Sequence, residues 1–154
     1  MTRLQAGDPA PAFSLEDQTG RVVRLSEFAG RKLLVYFYPQ TDTPGCTVQS
    51  CAVRDALPEL SLLGVDVVGI SPDEPRDQAA FDEKFRLGFP LLADLGHLVA
   101  EDWGVWAEKM NYGKKYWGIV RSSFLVDERG RIQEAFYKVS PKDTVPKALR
   151  ALGI

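Results

Sequence analysis

The chain has 154 residues, with 19 Lys and Arg against 21 Asp and Glu for a formal net charge of −2, and 45% of its residues are apolar. That length predicts one domain over residues 1–154 with enough chain to bury a core without metal or disulfide staples. The acidic balance argues against nucleic acid as the main partner, because proteins that live on phosphate backbones carry a basic surplus. The longest apolar run, Leu33 to Tyr38, is far short of the roughly 20 residues a membrane span needs.

In chain order, Gly7 to Pro11 reads as a Pro-rich entry loop. Phe13–Leu15 and Val22–Leu25 are short strand candidates around a turn at Gln18-Thr19-Gly20. Lys32–Tyr38, β-branched and aromatic, reads as a buried central strand. A loop over Pro39–Gly45 leads into a helix running to about Leu63, with Val48, Cys51, Ala52, Ala56, Leu60 and Leu63 predicted as its apolar face. Val65–Ile70 follows as a strand, completing a β-α-β unit whose strands should run parallel. A helix is expected over Pro75–Leu87, a short strand over Pro90–Ala93 and a short helix over His97–Trp103. The stretch to Ile119, rich in aromatics and Lys, reads as a loop. Ser122–Asp127 and Arg131–Tyr137 flank Glu128-Arg129-Gly130 in a hairpin pattern. A terminal helix over Pro141–Leu152 has Ser140 as its predicted cap. Helices around a central mixed β-sheet make this an α/β domain.

The opening MTRLQAGDPAP holds no apolar stretch of the kind a secretion signal uses, so a cytoplasmic protein is expected. The two cysteines and one histidine are too few for a disulfide scaffold or the usual structural zinc site. In a reducing compartment a close cysteine pair more often performs chemistry than holds structure.

The segment PQTDTPGCTVQSC, residues 39–51, carries that chemistry. It lies just past the carboxyl end of the central strand, where open α/β sheets place their sites. Thr43 suits the cap of the following helix and Pro44 its first position. Cys46 then falls in the first turn, where unpaired backbone N–H groups and the positive end of the macrodipole favour a thiolate over a thiol. Thr43 and Cys46 have capping-box spacing, so the hydroxyl should face the sulfur. The alternative is a buried, inert cysteine in an ordinary helix.

Cys51 shifts that balance. Five residues along an ideal helix give about 140° of net rotation and ~7.5 Å of rise, which separates the Cα atoms by about 8.6 Å. A disulfide needs them within ~7 Å. The two sulfurs can therefore bond only if the first helical turns unwind, which suits a catalytic pair better than a structural staple. Pro58, which lacks the N–H that would bond the Arg54 carbonyl, either kinks the helix or eases that unwinding.

YFYPQTDTPGCTVQSC resembles the active-site signature of the peroxiredoxins, with Pro39, Thr43 and Cys46 as its Pro-x-x-x-Thr-x-x-Cys core. The second cysteine resembles the Q-type, or bacterioferritin-comigratory-protein, subgroup of atypical two-cysteine thiol peroxidases. GDPAPAFSL, GVDVVGISPD and the stretch from Trp103 to Ile132 extend the resemblance over nearly the whole chain. It implies a thioredoxin-like fold, reduction of hydrogen peroxide and organic hydroperoxides, and no metal, haem or flavin. It makes Cys46 the peroxidatic and Cys51 the resolving cysteine. Thr43 would contact thiolate and peroxide, Pro39 would shield the sulfur from water, and Arg121 would be the active-site arginine. A thioredoxin-like dithiol donor and a monomeric state are also implied. Gln49 stands where the family commonly has Glu. The neutral side chain should leave Arg121 more of its net charge to favour the thiolate.

A free thiol with pKa ~8.5 is about 3% ionised at pH 7, so full ionisation gains at most ~30-fold. Enzymes need roughly a million-fold or more. The remainder must come from groups that hold the lengthening O–O bond, for which Arg121, Thr43 and the amides near Cys46 are candidates. Trp103, Trp106, Tyr112, Tyr116 and Trp117 either pack a flank of the sheet or wall an approach for alkyl hydroperoxides. Lys109, Lys114 and Lys115 suit a solvated loop, and His97 a surface or cap position. Two rival functions are distinguished by cysteine spacing. A thioredoxin-fold disulfide carrier would be expected to show Cys-x-x-Cys, and a copper chaperone built on Cys46, Cys51 and His97 would be expected to show Cys-x-x-x-Cys. A peroxide sensor that passes oxidation to a partner would use the same residues as the enzyme.

Overall fold

The computed structural model describes residues 3–154. Seven strands form one mixed sheet: β1 (Ser14–Glu16), β2 (Val22–Arg24), β3 (Lys32–Phe37), β4 (Val65–Ser71), β5 (Leu91–Ala93), β8 (Ser122–Val126) and β9 (Ile132–Phe136), in the order β2-β1-β5-β4-β3-β8-β9. Strands β3, β4 and β5 run parallel, while β8 lies antiparallel to β3. The helices are α1 (Pro44–Leu62), α2 (Pro75–Phe85), α3 (Leu98–Asp102) and α4 (Thr144–Ala151).

Residues of β3 alternate between two cores. Leu33, Val35 and Phe37 join Trp103 and Phe124 on one face, while Leu34, Tyr36 and Tyr38 join Cys46, Val53, Leu60 and Phe81 on the other. Both faces are covered, which is why this strand reads as one unbroken apolar run. It also fixes the address of the cysteine: Cys46 packs on the α1 side, against the tyrosines of β3.

Four expectations need correction. Residues 104–119 are not a loop: Trp106–Asn111 (β6) and Lys114–Ile119 (β7) form a separate antiparallel hairpin. It turns through Tyr112 and Gly113, both with positive φ, 52° and 77°, as a two-residue hairpin turn requires. Its aromatics divide accordingly. Trp103 is fully buried, Trp106 stacks on His97, and Tyr112, Tyr116 and Trp117 are exposed. Second, the buried face of α1 is Cys46, Gln49, Ser50, Val53, Ala56 and Leu60, whereas Val48 is exposed. Gln49 and Ser50 are polar yet fully buried because each has a hydrogen-bond partner, so hydrophobic periodicity alone points at the wrong stripe. Third, the terminal helix is broken into a 3-10 turn over Pro141–Asp143 followed by α4. Fourth, the Ser140 hydroxyl does not cap backbone amides but donates to Asp143 at 2.8 Å. Helix α1 runs unbroken through Pro58.

Gly69 shows how tightly β4 sits on the α1 side of the sheet. A Cβ there would stand 2.8 Å from Tyr36 Cζ, and the Tyr36 ring is fully buried. Gly69→Ala is expected to displace the ring and destabilise the chain by about 1–3 kcal/mol. Urea unfolding should read this as a lower midpoint at unchanged slope.

Candidate active site

The loop after β3 delivers the first turn of α1 to the carboxyl edge of the sheet. Thr43 is the residue before the helix, with extended backbone at φ −96° and ψ 155°, and Pro44 opens it. The first helical bond is Thr47 N–H to Thr43 O at 2.8 Å, so the amides of Gly45 and Cys46 precede the hydrogen-bonded ladder. Cys46 thus occupies the third helical position, as the sequence predicts, and its side chain is completely buried. The capping-box expectation fails in one respect. The Thr43 hydroxyl donates to the Gln40 carbonyl at 2.9 Å and caps no helix amide. Cys46 also offers no carboxylate to the Thr43 backbone N–H, so neither half of a capping box forms.

Two contacts pin the loop. Thr41 N–H donates to Asp73 Oδ2 at 2.8 Å, and Lys84 pairs with Asp42 at 2.9 Å. Asp42 has φ 55°, a left-handed conformation that its short polar side chain tolerates.

Arg121 reaches the sulfur from the other side. Phe37, the last residue of β3, pairs with Ser122, the first of β8, so the residue before β8 lies at the sheet end where the Cys46 loop begins. Arg121 Nη1 and Nη2 both lie 3.5 Å from Cys46 Sγ. A fork of two donors on one sulfur stabilises a thiolate and leaves donors aimed at whatever approaches it. Gly45 makes the approach possible, because a Cβ there would sit 3.0 Å from Arg121 Nη2 and 3.4 Å from Pro141 Cγ. The Gln49 Oε1 atom accepts from Arg121 Nη1 at 2.7 Å. The link to the arginine therefore persists without a carboxylate.

Behind the sulfur, the Tyr36 hydroxyl shares a hydrogen bond of 2.8 Å with Ser50. Burial pushes the Tyr36 pKa far above the ordinary phenol range, only partly offset by the Ser50 bond, so this hydroxyl stays protonated. Tyr38, likewise fully buried and raised by burial, donates to Gln78, whose amide donates in turn to Ser71.

Cys51 is partly buried one and a half turns further along, and both cysteines are free thiols. With α1 intact, the helical estimate of about 8.6 Å between their Cα atoms applies, beyond disulfide range. Pro39 occupies the β3–α1 loop, partly buried, immediately after the fully buried Tyr38. His97 has other partners: its ring stacks on Trp106 at 3.7 Å and Nδ1 meets Glu101 at 3.1 Å. It opens α3 with left-handed backbone at φ 54°. Among the described residues no group of three His, Cys, Asp or Glu is placed to hold a metal ion, and no helix is long and apolar enough to cross a membrane. Sequence reasoning missed Thr144, which lies in no motif, and gave no role to Tyr36 and Ser50 although both fall within the quoted signature; all three meet the site through hydrogen bonds made by packing of distant segments.

Comparison with known proteins identifies the family and the fold. The pattern of the AhpC/TSA family matches residues 6–135. The chain is 54% identical over 136 residues to Peroxiredoxin Bcp of Escherichia coli K12, covering 88% of this chain and 87% of that protein. It is 47% identical over 153 residues to a putative peroxiredoxin of Mycobacterium tuberculosis, covering 99% and 98%. The structure of Xanthomonas campestris Peroxiredoxin Q superposes with a TM-score of 0.89 at 33% identity, covering 96% of each chain. A structure of the bacterioferritin comigratory protein from the same organism, described in terms of alkyl peroxide reduction, superposes with a TM-score of 0.89 at 32% identity, covering 96% and 97%. The architecture is thioredoxin-like, as expected.

Proposed function

The chain belongs to the AhpC/TSA family and is a peroxiredoxin, a thiol peroxidase that takes a peroxide substrate and needs a reductant, and on that premise we propose that Cys46 is its attacking sulfur and Cys51 its resolving one. The observation that carries this reading is the pair of Arg121 nitrogens at 3.5 Å from a buried sulfur in the first turn of α1.

In the first step the Cys46 thiolate attacks the terminal oxygen of the hydroperoxide. The S–O bond forms as the O–O bond breaks, and the departing alkoxide or hydroxide takes a proton from solvent to leave as alcohol or water, with Cys46 left as the sulfenic acid. Arg121 and the Gly45 and Cys46 amides hold the charge spreading onto the two oxygens. The Thr43 hydroxyl oxygen, whose own proton is directed to Gln40, offers lone pairs to the peroxide O–H. Pro39 keeps water from the sulfur.

In the second step the first turns of α1 open and Cys51 attacks the sulfenic sulfur, forming the disulfide and releasing water. A dithiol donor of thioredoxin type then reduces the disulfide by exchange, leaving two protein thiols and its own disulfide. Residues 1–154 work as one domain, monomeric and cytoplasmic, on hydrogen peroxide and organic hydroperoxides alike, with no bound cofactor.

The test is peroxide consumption with thioredoxin, its reductase and reduced nicotinamide cofactor. Cys51→Ser should complete one turnover and stop, with Cys46 held as a sulfenic acid that dimedone captures. Sustained turnover of Cys51→Ser at the wild-type rate would remove Cys51 from the cycle.

A further inference from the structure

The hydrogen bonds behind Arg121 run in one direction and end on a residue far away in the sequence. Arg121 Nη1 donates to Gln49 Oε1 at 2.7 Å, Gln49 Nε2 donates to Thr144 Oγ1 at 2.9 Å, and the Thr144 hydroxyl donates to the Ser140 carbonyl at 3.4 Å. Both ends of this chain are chemically one-way. A guanidinium can only donate and a carbonyl can only accept. The single Thr144 proton is therefore committed to Ser140, its oxygen is left to accept, and the Gln49 amide must turn its oxygen toward Arg121. Gln49 and Thr144 are both 0% exposed, so neither can borrow water to satisfy the reverse arrangement.

Gln49 also lies between Cys46 and Cys51, in the segment that must unwind for the sulfurs to meet. The bond to Thr144 ties that segment to the start of α4. We infer that Thr144 is a positioning residue that sets both half-reactions: through Gln49 it holds Arg121 on the Cys46 sulfur, and by the same bond it restrains the unwinding that brings Cys51 into reach. The inference rests on the assignment of Cys46 as the attacking sulfur. It also gives the neutral residue at position 49 a reason. A carboxylate there would have no N–H to offer Thr144 and would compete with Ser140 for the threonine proton.

The two effects have opposite signs, which a general loss of stability would not produce. In rapid-mixing experiments on the fully reduced protein with hydrogen peroxide, Thr144→Val should lower the second-order rate of Cys46 oxidation about ten-fold, the scale of leaving one buried donor unpaired. The same variant should raise the first-order rate of disulfide formation several-fold. Thr144→Ser, which keeps the hydroxyl, should stay within about twofold of wild type in both rates. In a Gln49→Leu background the relay is already cut, so adding Thr144→Val should leave the oxidation rate unchanged. That comparison, between two variants with no unpaired Gln49 amide, also serves if Thr144→Val alone does not fold. The inference is overturned if Thr144→Val matches wild type in both rates, if both rates fall together, if Thr144→Ser is as impaired as Thr144→Val, or if the loss in the Gln49→Leu background is as large as in wild type. Failure of peroxide to oxidise Cys46 in the wild-type protein would instead overturn the assignment on which the inference rests.

Discussion

Cys46→Ser is expected to abolish catalysed peroxide consumption, lowering turnover about 10⁴-fold or more, to the uncatalysed background, as removal of an attacking nucleophile does. The reason is chemical: a serine hydroxyl at that position remains protonated at neutral pH and does not form a reducible sulfenic product. The fold should survive, because the substitution exchanges one small buried group for another beside the same donors from Arg121. Coupled peroxidase assays at several peroxide concentrations check the first claim, and a thermal midpoint within a few degrees of wild type checks the second. Appreciable turnover in Cys46→Ser would move the chemistry to another residue.

Arg121→Met should be the next most damaging change. Removing a preformed donor aimed at developing charge costs about 10²–10³-fold in rate. The second-order rate of Cys46 oxidation should fall by that factor, while alkylation of the same thiol by iodoacetamide, which breaks no O–O bond, should fall less. The comparison separates two roles of the guanidinium. One is favouring the thiolate, worth at most ~30-fold against a free thiol at neutral pH. The other is holding the two peroxide oxygens as they part. Equal losses in both reactions would leave Arg121 only the first role. Methionine approximates the length of the arginine stem, so the site loses charge and donors more than volume.

How much of this was legible in the sequence depended on whether a feature was local. The position of Cys46 in the first turn followed from Thr43 and Pro44, which act on their own neighbours. The proximity of Arg121 followed from strand direction, since an antiparallel β8 beside β3 must begin where β3 ends. Thr144 was not legible, because its partner lies 95 residues away and nothing in the surrounding residues marks a threonine for that role. The β6–β7 hairpin escaped for a different reason. It stands outside the main sheet with most of its side chains in solvent, so it lacks the buried face that makes alternation visible. Its turn residues, Tyr112 and Gly113, were the available signal. The buried stripe of α1 was misread where the site itself intrudes: Gln49 and Ser50 interrupt the apolar pattern because they hold Arg121 and Tyr36. Local rules fail most readily at residues kept for function.

In the proposed cycle, unwinding of α1 joins the two half-reactions. The segment from Cys46 to Cys51 is held by the Gln49 bonds to Arg121 and Thr144 and by the Ser50 bond to Tyr36. All of these belong to the reduced conformation with α1 intact, and on the proposed cycle the Gln49 and Ser50 positions must move for Cys51 to reach the oxidised sulfur. The most direct measurement treats the reduced protein with one equivalent of hydrogen peroxide and follows both peptide mass and amide hydrogen exchange. A Cys46–Cys51 disulfide is expected, with exchange strongly accelerated over residues 46–51 and protection retained in β3 and in α1 beyond Pro58. A disulfide formed with residues 46–51 as protected as in the reduced protein, or oxidation that bypasses Cys46, would contradict the account.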